Sequence, residues 1–326
     1  MAYTVTVLNR ARARLRQENE RRQAEYLDHL TRAYALRPRL REIDRSLQGT
    51  GAQLAMLVFR REGDTQAELA RLRAENEALQ SERQWILDEA ELPEGYLDDS
   101  PVCTLCGGSG YVGSKMCECL RELCRQEQKR ELSALLPTGK ERFENFSLEV
   151  YPDRFYPDYG TTARTLMEKN LSFCRRYAGE FKPGARSLLF SGATGLGKTF
   201  LSGCMARQIA DAGHSAVYAT AGKLFADYEA VKFERAEAES LRDYRDCDLL
   251  ILDDLGTEMT TEFVKAALYE LVNSRLLGQK TTIISTNLNE RDLEARYGGQ
   301  IASRLVGSYR VIYFLGDDIR IKNRTR

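Results

Sequence analysis

The chain has 326 residues, 43% of them hydrophobic and 29% charged, which fits about two domains with real cores and excludes a wholly disordered chain. Lys+Arg and Asp+Glu are both 48, so net charge is zero and a global polycation that coats nucleic acid is excluded; a nucleic-acid contact needs a local patch. No stretch approaches the roughly 18 to 20 apolar residues of a membrane span.

Residues 1 to about 92 read as helix: rich in Arg, Glu, Leu, Ala and Gln, with no lysine and one proline, Pro38. Residues 1–48 hold 11 Arg against 6 Asp+Glu, so this arm is locally basic. No acid precedes Glu18, while Arg10, Arg12, Arg14 and Arg16 do, as in a mitochondrial transit peptide; Glu18, Glu20 and Glu25 on the same run argue against that. The apolar "VTVL" is too short for a secretory signal, so the expected compartment is the cytoplasm. From Glu68 a heptad appears. Leu72, Leu79 and Ile86 are seven apart, with Leu69, Asn76 and Arg83 at the companion positions, a coiled-coil seam with a polar residue that can fix register. "QGTGA" at 48–52 and "EGD" at 62–64 read as breaks, giving two or three antiparallel helices. Such a module is either a solvated spacer or a partner-binding element; its apolar stripe must bury against something, which favours the second.

Residues 93–119 change character, with Pro, Gly, Asp and Ser marking a loop-rich knob. Five of eight cysteines crowd here: Cys103, Cys106, Cys117, Cys119 and Cys124. Crowded cysteines in a cytosolic chain suggest metal rather than disulfides. Cys103-x2-Cys106 and Cys117-x-Cys119 give four thiolates in pairs, suited to tetrahedral Zn2+. The glycines between them permit tight turns. Cys124 is a spare or an alternative fourth ligand; His29 and His214 do not compete. Free thiols or a redox pair are the alternatives. Residues 120–136 return to helix, and "LPTGKERFENFSLEVYPDRFYPDYG" is an extended, aromatic-rich connector. The expected division is a helical partner-binding module (1–95), a four-cysteine zinc knob and helix (96–136) and a C-terminal domain (137–326).

From about 161 onward, short apolar runs alternate with helical patterns. The runs lie at 187–192, 216–220, 249–254, 281–286 and 310–315. This alternation predicts an α/β fold, a parallel five-stranded sheet flanked by helices. "GATGLGKT" runs from Gly192 through Ala193, Thr194, Gly195, Leu196 and Gly197 to Lys198 and Thr199, and fits G-x-x-x-x-G-K-[ST] without a mismatch. An apolar strand leads in and a helical pattern leads out. Glycines let backbone N–H groups wrap phosphate oxygens, the helix N-terminus adds positive potential, Lys198 reaches the β/γ-phosphates and the Thr199 hydroxyl ligates Mg2+. "YEAVKFERAE" then carries Lys232, Phe233 and Arg235, a charge-and-aromatic cluster that is a solvated helix face or a contact surface. "DLLILDDLGTE" ends a buried strand in Asp253 and Asp254, a costly pair unless a cation or proton accounts for it. Asp253 would hold Mg2+ and Asp254 would polarise the attacking water. "TTIISTN" ends in Asn287, an amide placed to orient that water, or an ordinary turn residue. In "RYGGQIASRLVGSYR", Arg304 is either a plain helix-surface arginine or a finger for a neighbouring subunit's γ-phosphate; Arg296 and Arg310 are weaker candidates. Arg320, Lys322, Arg324 and Arg326 form a basic tail.

Residues 137–326 resemble the DnaC/IstB-type branch of AAA+ ATPases. The carrying motifs are "FENF", "LLFSGATGLGKTFL", "VYAT", "DLLILDDLGTE", "TTIISTN", "IASRL" and "DDIRIKNR". Within the branch they look most like the bacterial and phage DnaC/DnaI-like helicase loaders. The resemblance implies ATP and Mg2+ as ligands, binding to the replicative hexameric helicase, delivery of that helicase to single-stranded DNA, and ATP-dependent self-assembly. It makes Asp253 and Asp254 the Walker B pair, Asn287 sensor 1 and Arg304 the finger, and places Lys232, Phe233 and Arg235 where this branch meets single-stranded DNA. Asp-Asp in place of the common Asp-Glu implies slow turnover, suited to a switch and raised by a partner. About a dozen residues follow the last strand, too few for the helical lid of many AAA+ proteins, so a lid-borne sensor 2 arginine is in doubt and Arg320 is the substitute at hand. Two other readings stay open: an IstB-like transposition helper, and a nucleotide-dependent adaptor that does not hydrolyse.

Overall fold

In a computed structural model of the chain, residues 3–59, 65–136 and 139–322 are described. They form two compact units, Ala13–Cys117 and Met1–Arg12 with Glu118–Arg326.

The first unit holds most of α1 (Val5–Leu36), α2 (Pro38–Phe59) and α3 (Thr65–Glu89), then a two-stranded ribbon, β1 (Tyr111–Val112) with β2 (Lys115–Met116). The helix break falls at Arg37, not at 48–52. Pro38 opens α2, because a missing N–H and a fixed φ suit the first helical position and restrict the residue before it. "QGTGA" passes through α2 unbroken, with the Thr50 hydroxyl donating to the Leu47 carbonyl at 2.8 Å. "EGD" at 62–64 lies outside the described residues. The heptad seam of α3 packs inside the unit: Leu72 and Ile86 are buried, Asn76 Nδ2 donates to Thr50 Oγ1 at 3.0 Å, and Arg83 Nε donates to Asp44 Oδ1 at 2.7 Å. Its polar positions therefore meet α2 side chains. Asp44 also accepts from the Tyr34 hydroxyl; burial first, then this carboxylate, pushes Tyr34 up to about 12. Ala33, Leu40, Ile43 and Ile86 are the core of this unit.

The second unit takes the start of α1 and continues with α4 (Glu118–Leu135). The helix expected to go with the cysteine knob instead packs on the α/β core, where Leu132 and Leu136 are buried. Gln128 makes this attachment specific: its Nε2 donates to the His214 carbonyl at 2.7 Å and its Oε1 accepts from Ala216 N at 3.2 Å. The connector forms 3-10 turns at 143–145 and 157–159 and a ribbon of β3 (Phe155–Tyr156) with β4 (Thr161–Thr162), leading into α5 (Ala163–Gly179).

The remaining elements alternate as expected: β5 (Leu188–Ser191), α6 (Lys198–Asp211), β6 (Ala216–Thr220), α7 (Ala221–Lys232), α8 (Arg242–Asp246), β7 (Leu249–Leu255), α9 (Glu262–Leu277), β8 (Thr281–Thr286), α10 (Glu290–Tyr297), α11 (Gly299–Ser308), β9 (Arg310–Tyr313) and α12 (Ile319–Lys322). The sheet is parallel in the order β6-β7-β8-β5-β9. Period-2 alternation sends Leu188, Phe190, Leu249, Ile251 and Ile283 to one face, against α5 and α6. Leu189, Leu250, Leu252 and Ile284 go to the other, against α7, α9 and α11. Strand order reverses beside β5, so the loop after β5 opens into the crevice where such sheets bind ligands.

Candidate nucleotide site and cysteine centre

The loop 192–197 leaves β5, and Lys198 begins α6. Gly195 and Gly197 are left-handed, at φ +75° and +85°. A Cβ at Gly195 would collide with the Asp318 carboxylate, and one at Gly197 would lie 2.8 Å from the Tyr151 hydroxyl, so both positions require glycine. Lys198 is buried, and its Nζ donates to the carbonyls of Gly192 and Ala193, each at 2.7 Å. Burial lowers its pKa; the carboxylates of Asp254 and Asp253 oppose the shift. Thr199 follows on the first turn of α6 and lines the same cleft.

The two aspartates stand in different surroundings. Asp253 is 1% exposed and both its oxygens are held: Oδ2 by the Tyr218 hydroxyl at 2.6 Å and Oδ1 by the Ser285 hydroxyl. Asp254 lines the cleft. Its φ of +55° and the register shift between Leu252 and Leu255 mark a bulge, which re-aims one side chain out of the pleat. Burial first, then the Asp253 carboxylate, raise its pKa; Lys198 and Arg320 oppose this. Asn287 also lines the cleft, just past β8. The sheet thus brings the phosphate loop, the acidic pair and Asn287 together.

The cleft is about 740 Å³, and part of its lining comes from connector residues to which the sequence assigned no role. Phe146, Val150 and Tyr151 of the connector line it, with Ile319 and Arg320. Tyr151 is buried, stacks on Phe146 and donates to the Leu196 carbonyl at 2.9 Å. The C-terminal segment ties to the phosphate loop through Ile319 N, which donates to Gly195 O at 3.0 Å. Arg320, the doubtful substitute, thereby stands within electrostatic reach of Lys198 and Asp254. The signals were present: an aromatic-rich connector before the phosphate loop, a tyrosine in the apolar edge strand β6 and a serine in the apolar inner strand β8.

Arg304 does not line this cleft. It sits on α11, bonded to Asn273 and Tyr269 of α9. Arg296 is tied within the same chain, to Thr260 Oγ1 at 2.7 Å and to the Glu258 carbonyl. Arg310 lies over the Phe173 ring at 4.1 Å. Phe233, at the end of α7, is 60% exposed, with Lys232 and Arg235 at 5.8 and 5.7 Å from its ring; Lys232 also lies 4.4 Å from the Phe263 ring. Arg324 and Arg326 lie outside the described residues.

The sulfurs of Cys103, Cys106, Cys117 and Cys119 all lie within 4.8 Å of one another. Cys103 and Cys117 sulfurs are 3.8 Å apart. Tetrahedral Zn–S bonds of about 2.3 Å put sulfurs about 3.8 Å apart, so the donor set fits zinc. Gly110 N–H donates to Cys106 Sγ at 3.3 Å, a contact that stabilises a thiolate. Cys124 belongs elsewhere: it is buried in α4, and burial pushes its thiol up to about 11. His29 stacks on Tyr96 and His214 packs edge-on against Phe181. Among the described residues no helix is long and apolar enough to cross a membrane.

Comparison with known proteins agrees with this geometry. Residues 158–326 match the family described as IstB-like ATP binding protein. The replicative helicase loader DnaC of Escherichia coli K12 is 25% identical over 153 residues, 46% of this chain and 62% of that protein. An insertion sequence IS1162 putative ATP-binding protein of Pseudomonas fluorescens is 27% identical over 168 residues, 52% of this chain and 68% of that protein. The chain spans 57–62% of the length of the curated DnaC relatives it matches. A solved DnaC helicase loader is 21% identical, with a TM-score of 0.45, covering 53% of this chain and 98% of that one. The chain therefore belongs to the IstB-like ATP binding protein family.

Proposed function

We propose that the chain binds and slowly hydrolyses ATP, and uses the nucleotide to control its hold on a replicative hexameric DNA helicase that it helps place on single-stranded DNA in the cytoplasm. The observation that carries this reading is the convergence of Lys198, Asp254, Asn287 and Arg320 on one cleft. Mg·ATP supplies the phosphoanhydride and the cation. Lys198 and the loop N–H groups would hold its phosphates, and Thr199 with Asp253 would hold Mg2+. Tyr218 and Ser285 fix the Asp253 carboxylate, so its orientation costs no reorganisation. Asp254 would accept hydrogen bonds from the attacking water and Asn287 would orient it. Arg320 would meet the phosphates from the same subunit, and Arg304 from the next. The assembled acidic pair favours hydrolysis over a passive adaptor.

The helical unit with its zinc-fitting cysteines would carry the helicase contact. Lys232, Phe233 and Arg235 would stack on and neutralise single-stranded DNA. A second reading, a transposition helper, is favoured by the insertion-sequence relative. The discriminating experiment is capture of the purified host replicative helicase by the full-length protein, with and without ATP, beside Lys198→Ala. We expect nucleotide-sensitive capture by wild type, and by Lys198→Ala a level that no longer responds to ATP because nucleotide binding is lost. Absence of capture in every nucleotide state, with transposase retained instead, moves the assignment to the second reading. Tight ATP binding by Lys198→Ala would remove the phosphate-loop assignment.

A further inference from the structure

Ile301 and Leu305 bury one stripe of α11, and Arg304 leaves the helix toward α9. Two α9 side chains one turn apart receive it. Arg304 Nε and Nη2 donate to Asn273 Oδ1 at 3.2 and 3.1 Å. Nη2 also donates to the Tyr269 hydroxyl at 3.0 Å, and the guanidinium lies 4.8 Å from the Tyr269 ring centroid. A bidentate grip and a stacked ring fix a side chain that otherwise has many rotamers.

Both partners are neutral. Cations of this unit are held in both ways: Arg207 pairs with Glu141, whereas Arg275 and Arg296 are held by hydroxyls and backbone carbonyls. Among the described residues no carboxylate lies within ion-pair distance of Arg304. The arrangement orders the part-exposed guanidinium without spending its charge.

We propose that Asn273 and Tyr269 are positioning residues for Arg304, holding it by neutral contacts so that its full charge meets a nucleotide phosphate bound by a second copy of this chain. This rests on the reading of Arg304 as the finger.

The decisive variant is Asn273→Asp. It is nearly isosteric and keeps an acceptor toward Arg304, now charged. A structural contact becomes a charge-assisted one and gains strength. A charge-presenting contact fails, because the finger is neutralised before it reaches phosphate. The full-length protein is followed by sedimentation velocity with a slowly hydrolysed ATP analogue, by ATP turnover at saturating ATP, and by thermal melting, with Arg304→Ala in parallel. Asn273→Asp is expected to melt at or above wild type and to bind ATP with unchanged affinity. It should need on the order of tenfold more protein for nucleotide-dependent assembly and turn over on the order of tenfold more slowly. Asn273→Ala, which loosens the grip without neutralising charge, should lose less. Wild-type assembly and turnover by Asn273→Asp, with both lost in Arg304→Ala, would overturn the positioning role and leave the finger standing. Unchanged behaviour of Arg304→Ala, or no nucleotide-dependent assembly of wild type, would overturn the finger and the inference with it.

Discussion

Asp253 and Asp254 are neighbours in sequence and differ in everything that matters chemically. Asp253 is sealed between Tyr218 and Ser285, while the bulge turns Asp254 into the cleft. The raised pKa of Asp254 has a consequence for stability. In the unfolded chain it ionises in the ordinary aspartate range, near 3.8; in the folded chain it holds its proton to higher pH. Below that range both states are protonated and there is no cost. As pH rises through the window between the two values, the unfolded state gives up its proton first and stability falls. At neutral pH the ionised side chain therefore destabilises the fold. We expect Asp254→Asn, without nucleotide, to melt above wild type at pH 7, with the gap closing as the pH is taken toward and below the ordinary range. Identical melting at pH 7 would contradict this environment. The same substitution should abolish most ATP hydrolysis, a trade of stability for function.

At the scale of elements, the cysteine loop and the phosphate loop solve a similar problem by different means. The phosphate loop is held by its neighbours: Tyr151 on Leu196, Ile319 on Gly195. The segment from Cys103 to Cys119 has two-residue strands and no comparable core, so a metal is what would hold it. We expect one zinc per chain by native mass spectrometry, and none in Cys106→Ser. That variant should keep its ATP affinity while the helical unit loses helicase binding. A metal-free wild type that captures helicase equally well would make the cysteines ordinary thiols.

At the scale of the molecule, α4 decides where the α/β core begins. Leu132 and Leu136 are buried in the α/β core, and Gln128 bonds to His214 and Ala216 on the chain entering β6. Each buried leucine contributes about 1.5–3 kcal/mol. A chain starting at residue 137 loses both and exposes the surface they cover. We expect it to melt well below one starting at residue 118, in calorimetry with and without ATP. Equal melting would mean that α4 is dispensable to the core.

Much of the site was legible because its chemistry is written in contiguous residues. A phosphate loop needs glycines, a lysine and a threonine at fixed spacing between a strand and a helix, and buried parallel strands read as apolar runs. The five strands, the loop from Gly192 to Thr199, the acidic pair, Asn287 and the cysteine spacing all followed from local pattern. What local pattern could not supply is distance between residues far apart in the chain. That Tyr218 and Ser285 hold Asp253, that Phe146 and Tyr151 wall the cleft, that Arg320 reaches it and that Asn273 grips Arg304 depend on how strands are ordered and helices packed. The same holds for α2, where "QGTGA" stays helical and Pro38 marks the break. Local propensity there amounts to tenths of a kcal/mol to about 1 kcal/mol per residue, less than burying the helix's apolar stripe contributes, so packing carries the helix through "QGTGA" while the local chemistry of Pro38 sets its start.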